Sequence, residues 1–387
     1  MTDRLSPRDL MAKLVSFPTV SRDTNLPLVD WVEQYLAGHG IEAHRWPDPQ
    51  QPEKVALFAH VGPWEEGAIV LSGHTDVVPV DGQPWDSDPF EVVERDGKLY
   101  GRGTCDMKGF DALAIWALVE AKHAGVKRPL QLALSFDEEV GCTGAPPMIE
   151  AMQPVLPKGA AVIVGEPSMM RAVTGHKGGF GYDTHVVGFE VHSSIMHTGV
   201  NAIMSAAPLI DWANHRNAEC MGAEPSEMAA MFDPPFTTSH VGQITGGTAH
   251  NITAKDCWFA MDFRVVPGED PAAWRDAYFE KVREVEAQMQ AVHPDARIDL
   301  SERFRVPALQ PEEQGEAEAL VRALTGDNGV HVVSYGTEAG QFQEAGYSAV
   351  ICGPGDIAQA HQPNEYITVA QFEAGHDFMR RLVERLT

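Results

Sequence analysis

Four short segments, residues 55–60, 68–72, 130–136 and 160–164, are almost wholly apolar. Strands buried on both faces read this way, whereas a strand with one wet face alternates. A helical pattern over residues 110–123 lies between the second and the third. Apolar strands alternating with helices specify an α/β fold around a mostly parallel sheet. Two helices precede them. One starts at Ser6-Pro7-Arg8-Asp9, where Ser6 caps, Pro7 suits the first turn and Asp9 the positive helix end, and it stops at Phe17-Pro18. The other covers residues 27–37 and ends at Gly38 and Gly40.

The texture changes near Gly178. Residues 180–191 alternate as a half-exposed strand, 201–217 read as a helix, 239–244 and 256–265 as strands, 271–292 as a strongly amphipathic helix and 297–304 as a further strand. This β-α-β-β-α-β order is that of a small two-layer α+β domain. After Pro307 the first texture returns, with a helix over 312–325, a strand over 348–352 and a closing helix over 369–386. The reading is a three-layer α/β domain made of residues 1–177 and 294–387, with a second domain, 178–293, inserted. A length of 387 residues suits two domains.

Composition removes several functions. Lys and Arg number 29 against 55 Asp and Glu, a formal charge of −26. A surface that acidic repels phosphate backbones and anionic lipid, so neither nucleic acid nor membrane is an expected partner. No apolar run approaches the roughly 18 residues of a membrane helix. The first ten residues are polar and hold a proline, unlike a signal peptide. Five scattered cysteines without a Cys-x-x-Cys pair indicate neither a disulfide framework nor a thiolate metal site. Reduced thiols in a cytoplasm fit them.

The polar residues at the ends of the apolar segments carry the chemistry. Residues 68–72 run into Gly73-His74-Thr75-Asp76, 130–136 into Asp137-Glu138-Glu139, and 160–164 into Gly165-Glu166-Pro167-Ser168. Residues 348–352 lead through a Gly/Pro loop to His361, and the 101–109 loop carries Asp106 ahead of a helix. Ligands bind outside the carboxyl ends of strands in an open α/β sheet. Crowded carboxylates raise one another's pKa values unless a cation compensates. Imidazoles with carboxylates are the usual donors to divalent metals. His74, Asp106, Glu139, Glu166 and His361 suffice for two ions if Asp106 bridges. Asp76, two residues from His74, is placed to orient it. Glu138 is left over, and an unligated carboxylate beside a metal is the expected general base. Taken singly each signal has a plainer reading: a satisfied polar histidine, or acids at a helix N-terminus. No dinucleotide fingerprint, phosphate loop, His-Glu-x-x-His or Gly-x-Ser-x-Gly competes.

Gly73-His74-Thr75-Asp76-Val77-Val78-Pro79, Gly101-Arg102-Gly103 with Asp106-Met107-Lys108-Gly109, Asp137-Glu138-Glu139 and Gly165-Glu166-Pro167-Ser168 stand in the order of a known signature. Together they resemble the co-catalytic zinc amidohydrolases, the family of acetylornithine deacetylase, succinyl-diaminopimelate desuccinylase, aminoacylases and glutamate carboxypeptidases. The resemblance covers nearly the whole chain. It implies His74, Asp106 and Glu166 around one metal and Asp106, Glu139 and His361 around the other, with Glu138 as general base and Asp76 behind His74. The ions implied are zinc, with cobalt an alternative. It implies that the inserted domain is a lid through which two copies dimerise. In the lid, Gly188-Phe189-Glu190-Val191-His192-Ser193-Ser194 resembles the segment whose histidine, here His192, helps stabilise the oxyanion, commonly in the partner's site. Ile195-Met196 departs from the family pattern, which often has Pro before the next His, here His197. Asp262-Phe263-Arg264 resembles the strand whose Arg grips a substrate carboxylate, and Asn251 sits where a lid Asn meets substrate. Without the resemblance, Arg264 reads as a surface cation on an edge strand.

Tyr335-Gly336-Thr337-Glu338-Ala339-Gly340, Cys352-Gly353-Pro354-Gly355 and Ala360-His361-Gln362-Pro363-Asn364-Glu365 resemble the acetylornithine deacetylase branch. The substrate this implies is N-acetyl-L-ornithine, with Gly336, Thr337 and Glu338 near it and Glu338 either pairing with its ammonium or capping a helix. Three rivals stand: another acyl-amino-acid hydrolase or dipeptidase of the family, a non-catalytic metal or small-molecule binder, and a serine or cysteine hydrolase using Ser193 or Cys105.

Overall fold

A computed structural model describes residues 3–387 and divides into two compact units. The first runs to Gly175 and takes up again over Leu309–Val332 and Thr337–Thr387. Its eight-stranded sheet has a parallel centre, in which Leu130–Ser135, Ala68–His74, Gly159–Pro167 and Ser348–Gly353 lie side by side. Val55–Val61 and Ala43–Pro47 extend it antiparallel on one side. Val55–Val61 is as apolar as its parallel neighbours, so burial on both faces set its composition while its direction was not legible.

Helices complete the layers. Ser6 caps Pro7–Val15 by accepting from the Asp9 N–H, and Gly125, left-handed at φ 66°, closes Lys108–Ala124. The core gathers Leu10, Leu14 and Val32 with Ile69, Leu71, Phe110, Leu113 and Ile163, and with Phe372 and Leu382 of Val369–Leu386. Packing is tight where strand meets helix. A Cβ added at Gly165 would lie 2.0 Å from ring atoms of Phe110. Gly165→Ala is therefore expected to destabilise the fold by about 1–3 kcal/mol, seen as a lower urea midpoint at unchanged slope. An unchanged midpoint would show that Phe110 can move aside.

The second unit comprises His176–Ala308 and Val333–Gly336. Its four antiparallel strands lie in the order Thr238–Gly246, Asp256–Val265, Gly178–Val187, Arg297–Val306. Helices Ala202–Gly222 and Pro271–Gln290 complete the expected β-α-β-β-α-β sequence. Phe180 stacks on Phe263 at 4.5 Å between centroids, and Tyr278 hydrogen-bonds Thr184 Oγ1 at 2.7 Å beneath them. Two details differ from the expectation. Gly178–Val187 is largely buried rather than half exposed, because it is an interior strand. The division expected at 293/294 falls inside this unit, because Arg297–Val306 pairs along Gly178–Val187 and carries the unit to Ala308. Among the described residues no helix is long and apolar enough to cross a membrane.

Candidate metal centre

Three adjacent parallel strands and the loops beyond their carboxyl ends supply most of the site. Ala68–His74 ends on His74, Leu130–Ser135 runs into Glu138 and Glu139, and Gly159–Pro167 carries Glu166 near its end. The loop after Ser348–Gly353 brings His361, and the loop before Lys108–Ala124 brings Asp106, whose peptide bond to Met107 is cis. All belong to the first unit.

Asp106 stands between two groups. Its Oδ1 lies 3.1 Å from His74 Nε2 and its Oδ2 3.3 Å from His361 Nε2. Glu166 Oε1 is 3.8 Å from His74 Nε2, and Glu139 Oε2 is 2.9 Å from His361 Nε2. One ligand atom each of His74, Asp106 and Glu139 lie within 4.8 Å of one another, as do those of His74, Glu138 and Glu166. The five residues read as ligands and the base candidate are thus brought together.

The cluster is short of positive charge. Glu139 Oε1 and Glu166 Oε1 are buried with no hydrogen-bond donor. Burial, then the charge of Asp106, pushes the Glu139 carboxyl up to about 8 and Glu166 well above the carboxylate range. Burial opposes a charged His74, yet hydrogen bonds with Asp106 and Asp76 hold it well above an ordinary histidine. Hydrogen bonds with Asp106 and Glu139 raise His361 to about 10. Two imidazoles do not balance this many buried acids, and divalent cations would. Imidazole nitrogen with carboxylate oxygen is a donor set that suits zinc and its neighbours.

Asp76 holds both sides of the site. Its backbone carbonyl is 2.9 Å from His74 Nδ1 and its carboxylate 3.4 Å away, so the carbonyl is the nearer partner. The carboxylate also accepts from Ser21 Oγ at 2.7 Å and from the Glu138 and Glu139 N–H groups at 3.1 and 3.3 Å. Glu138 accepts from Cys142 Sγ at 3.2 Å. Burial above all raises its carboxyl to about 7, with Asp106 and Asp76 adding to the rise and His74 opposing it.

The remaining candidates divide between the units. Within the second, His192 is exposed, its Nδ1 2.7 Å from Ser194 Oγ, and the Ser193 N–H donates to the Asn251 carbonyl, so His192 and Asn251 are neighbours. Arg264 is on an interior strand, not an edge. It donates to Asp262 at 3.2 Å and lies over the Phe304 ring. Gly336 belongs to the second unit, Thr337 and Glu338 to the first. Glu338 is buried, hydrogen-bonded by Ser135, with its Oε2 unpartnered. Burial first raises its carboxyl to about 8. It directly precedes the short helix Ala339–Glu344 but makes no side-chain cap.

Of the rival nucleophiles, Cys105 is buried, and burial with Glu365 and Asp106 beside it pushes its thiol far above the usual range. That is the reverse of a reactive thiolate. Ser193 is exposed at the start of a short turn. Sequence reasoning assigned no role to Ser21, Arg102 or Glu365. Each is a common polar residue, and only the fold shows Ser21 bonded to Asp76, and Arg102 paired with Glu365 behind the Asp106 loop.

A parallel-centred α/β sheet with an acid–histidine cluster at its strand ends fits the class of metal-dependent hydrolases. Comparison with known proteins names the family. Residues 70–385 match the model of peptidase family M20/M25/M40. Acetylornithine deacetylase of Myxococcus xanthus is 36% identical over 382 residues, 95% of this chain and 94% of the relative. Two solved structures share the fold. An M20 family metallo-carboxypeptidase from Sulfolobus solfataricus has a TM-score of 0.79 at 16% identity, covering 98% of this chain and 99% of the other. A dinuclear metal-binding M20 peptidase from Bacillus subtilis has 0.65 at 14%, covering 98% and 97%. The chain belongs to peptidase family M20/M25/M40. It is an enzyme, and metal-dependent amide hydrolysis is its chemistry.

Proposed function

We propose that the chain hydrolyses the amide bond of an N-acyl amino acid, with N-acetyl-L-ornithine giving L-ornithine and acetate. Full-length similarity to acetylornithine deacetylase is the observation that carries the substrate. The shared position of Asp106 between His74 and His361 carries the two-ion reading. His74, Asp106 and Glu166 would hold one ion and Asp106, Glu139 and His361 the other, zinc first and cobalt as alternative. When bound, the ions supply Lewis acidity that polarises an acyl carbonyl and makes water acidic enough to ionise near neutral pH.

The chain's own residues do the rest. Glu138 takes a proton from the attacking water at its carboxylate and returns it to the leaving amine. Asp76 holds His74 and the Glu138–Glu139 backbone in place. His192 contributes a hydrogen bond to the developing oxyanion, in its own or a partner's site. Asn251 and Arg264 contact substrate, Arg264 through its carboxylate, and Gly336, Thr337 and Glu338 shape the amino-acid end. Arg264→Ala is expected to raise KM about tenfold or more with little change in kcat, the pattern of uniform binding lost. A lowered kcat at unchanged KM would remove Arg264 from substrate binding.

The second unit's outer strand Thr238–Gly246 is largely exposed, as are Ile203, Met204 and Ile244. These features support a homodimer formed through this unit, to be seen as twice the chain mass in light scattering. The substrate is tested by hydrolysis of N-acetyl-L-ornithine beside N-succinyl-diaminopimelate, N-acetyl-methionine and a dipeptide. The highest kcat/KM is expected on N-acetyl-L-ornithine. A higher value on another compound would keep the chemistry and change the substrate.

A further inference from the structure

One buried carboxylate in the first unit gathers four hydrogen bonds around the metal centre without being a candidate ligand. Glu365 Oε1 accepts from the N–H groups of Gly103 at 3.0 Å, Cys105 at 2.9 Å and Asp106 at 3.1 Å. Its Oε2 accepts from Arg102 Nη1 at 2.6 Å, and both side chains are 1% exposed. Arg102 Nη2 donates to Gln83 Oε1 at 2.7 Å, and Gln83 Nε2 donates to the His361 carbonyl at 3.3 Å. The carbonyl of Glu365 itself accepts from the Gly101 N–H at 3.0 Å.

An ion pair so deeply buried is a weak device for stability, because desolvation offsets most of its attraction. It is a strong device for geometry. A guanidinium fork and a carboxylate fix one another's orientation, and here they fix two loops from distant parts of the chain. The Asp106 loop is held by its own N–H groups, and the His361 loop by its own carbonyl and by Glu365 four residues on. Asp106 Oδ2 and His361 Nε2 end 3.3 Å apart.

We propose that Glu365 and Arg102, linked to His361 through Gln83, are positioning residues of the metal centre: they hold Asp106 and His361 where both can reach the same ion. This rests on the two-ion reading above.

The test uses metal affinity, not turnover. Glu365→Gln keeps the shape and one acceptor for the three N–H groups but turns an amide N–H toward Arg102. Gln83→Ala, nearer the surface, removes the link to His361 and the acceptor shared by Arg102 Nη2 and Trp85 Nε1, and leaves the Glu365–Arg102 pair in place. Each protein, stripped of metal, is titrated with zinc against a chromogenic chelator, its cobalt(II) visible spectrum is recorded, and its fold is checked by circular dichroism. Glu365→Gln is expected to weaken zinc binding about 10–100-fold and to alter the cobalt spectrum, with KM at saturating zinc unchanged. Gln83→Ala is expected to weaken one of the two binding steps. A folded Glu365→Gln variant with wild-type zinc affinity and cobalt spectrum would overturn the proposal. If that variant does not fold, wild-type affinity in Gln83→Ala overturns it. Wild-type protein that takes up no zinc would instead overturn the two-ion reading, and this inference with it.

Discussion

Replacing Glu138 by Gln is expected to lower kcat by a factor of about 10²–10⁴ while the bound metal and the fold stay as in the wild type. The amide side chain keeps the shape of the carboxylate and can still accept from Cys142 Sγ, but it cannot take a proton. Glu138 is suited to that task. Its N–H is tied to Asp76, its carboxyl lies beside the acid–histidine cluster, and burial sets its pKa near 7, where donation and acceptance are both easy. The measurement is paired: steady-state kinetics on the best substrate and metal content of the same sample. The pairing matters because Glu138 also lies within ligand reach of His74 and Glu166. If Glu138 were a ligand, the substitution would lose metal along with activity. Undiminished turnover would remove Glu138 from the chemistry.

Removing the metal is expected to abolish turnover and to give a protein that loses stability as pH rises from about 5 to 8. The sign is set by which state binds more protons. The Glu139 carboxyl is raised from 4.5 to about 8 and Glu166 rises as well, by burial first, so above pH 4.5 the folded chain keeps protons that the unfolded chain has released. Folding is then opposed increasingly as pH climbs toward 8. His361, raised from 6.5 to about 10 by its bonds to Asp106 and Glu139, acts in the same direction. Its stabilisation is complete below 6.5 and fades as pH rises through 10, and His74, also raised, behaves likewise. Metal binding needs deprotonated carboxylates and neutral imidazoles, so zinc binds more tightly over the same range. At a thousandfold excess over its dissociation constant it adds about 4 kcal/mol. Melting curves at pH 5, 6, 7 and 8, with chelator and with zinc, should therefore separate progressively. Parallel curves would mean that the cluster is not where zinc binds.

Much of this was legible in the sequence, for identifiable reasons. His74, Glu138, Glu139 and Glu166 could be found because each follows an apolar strand at the carboxyl edge of a sheet, where polar residues have few structural reasons to gather. Long elements with a strong period were equally readable, and Val369–Leu386 has the bounds its spacing predicts. A three-residue strand such as Tyr366–Thr368 was not, since it exists only by pairing across the chain with Lys98–Tyr100. The boundary near 293 failed for the same reason. The sequence shows Pro271–Gln290 ending, but not that the next strand returns to pair with Gly178–Val187. Arg102 and Glu365 carry no periodic signal of burial at all, and their common fate appears only when both loops are folded.

The most direct test of the two-ion account is to strip the protein with a chelator and add zinc in measured steps while recording bound metal and hydrolysis of N-acetyl-L-ornithine on the same samples. The account predicts negligible turnover before addition, uptake that saturates at two equivalents per chain, and turnover restored with uptake. Turnover that survives complete chelation, or full restoration without any metal retained by the protein, would contradict it.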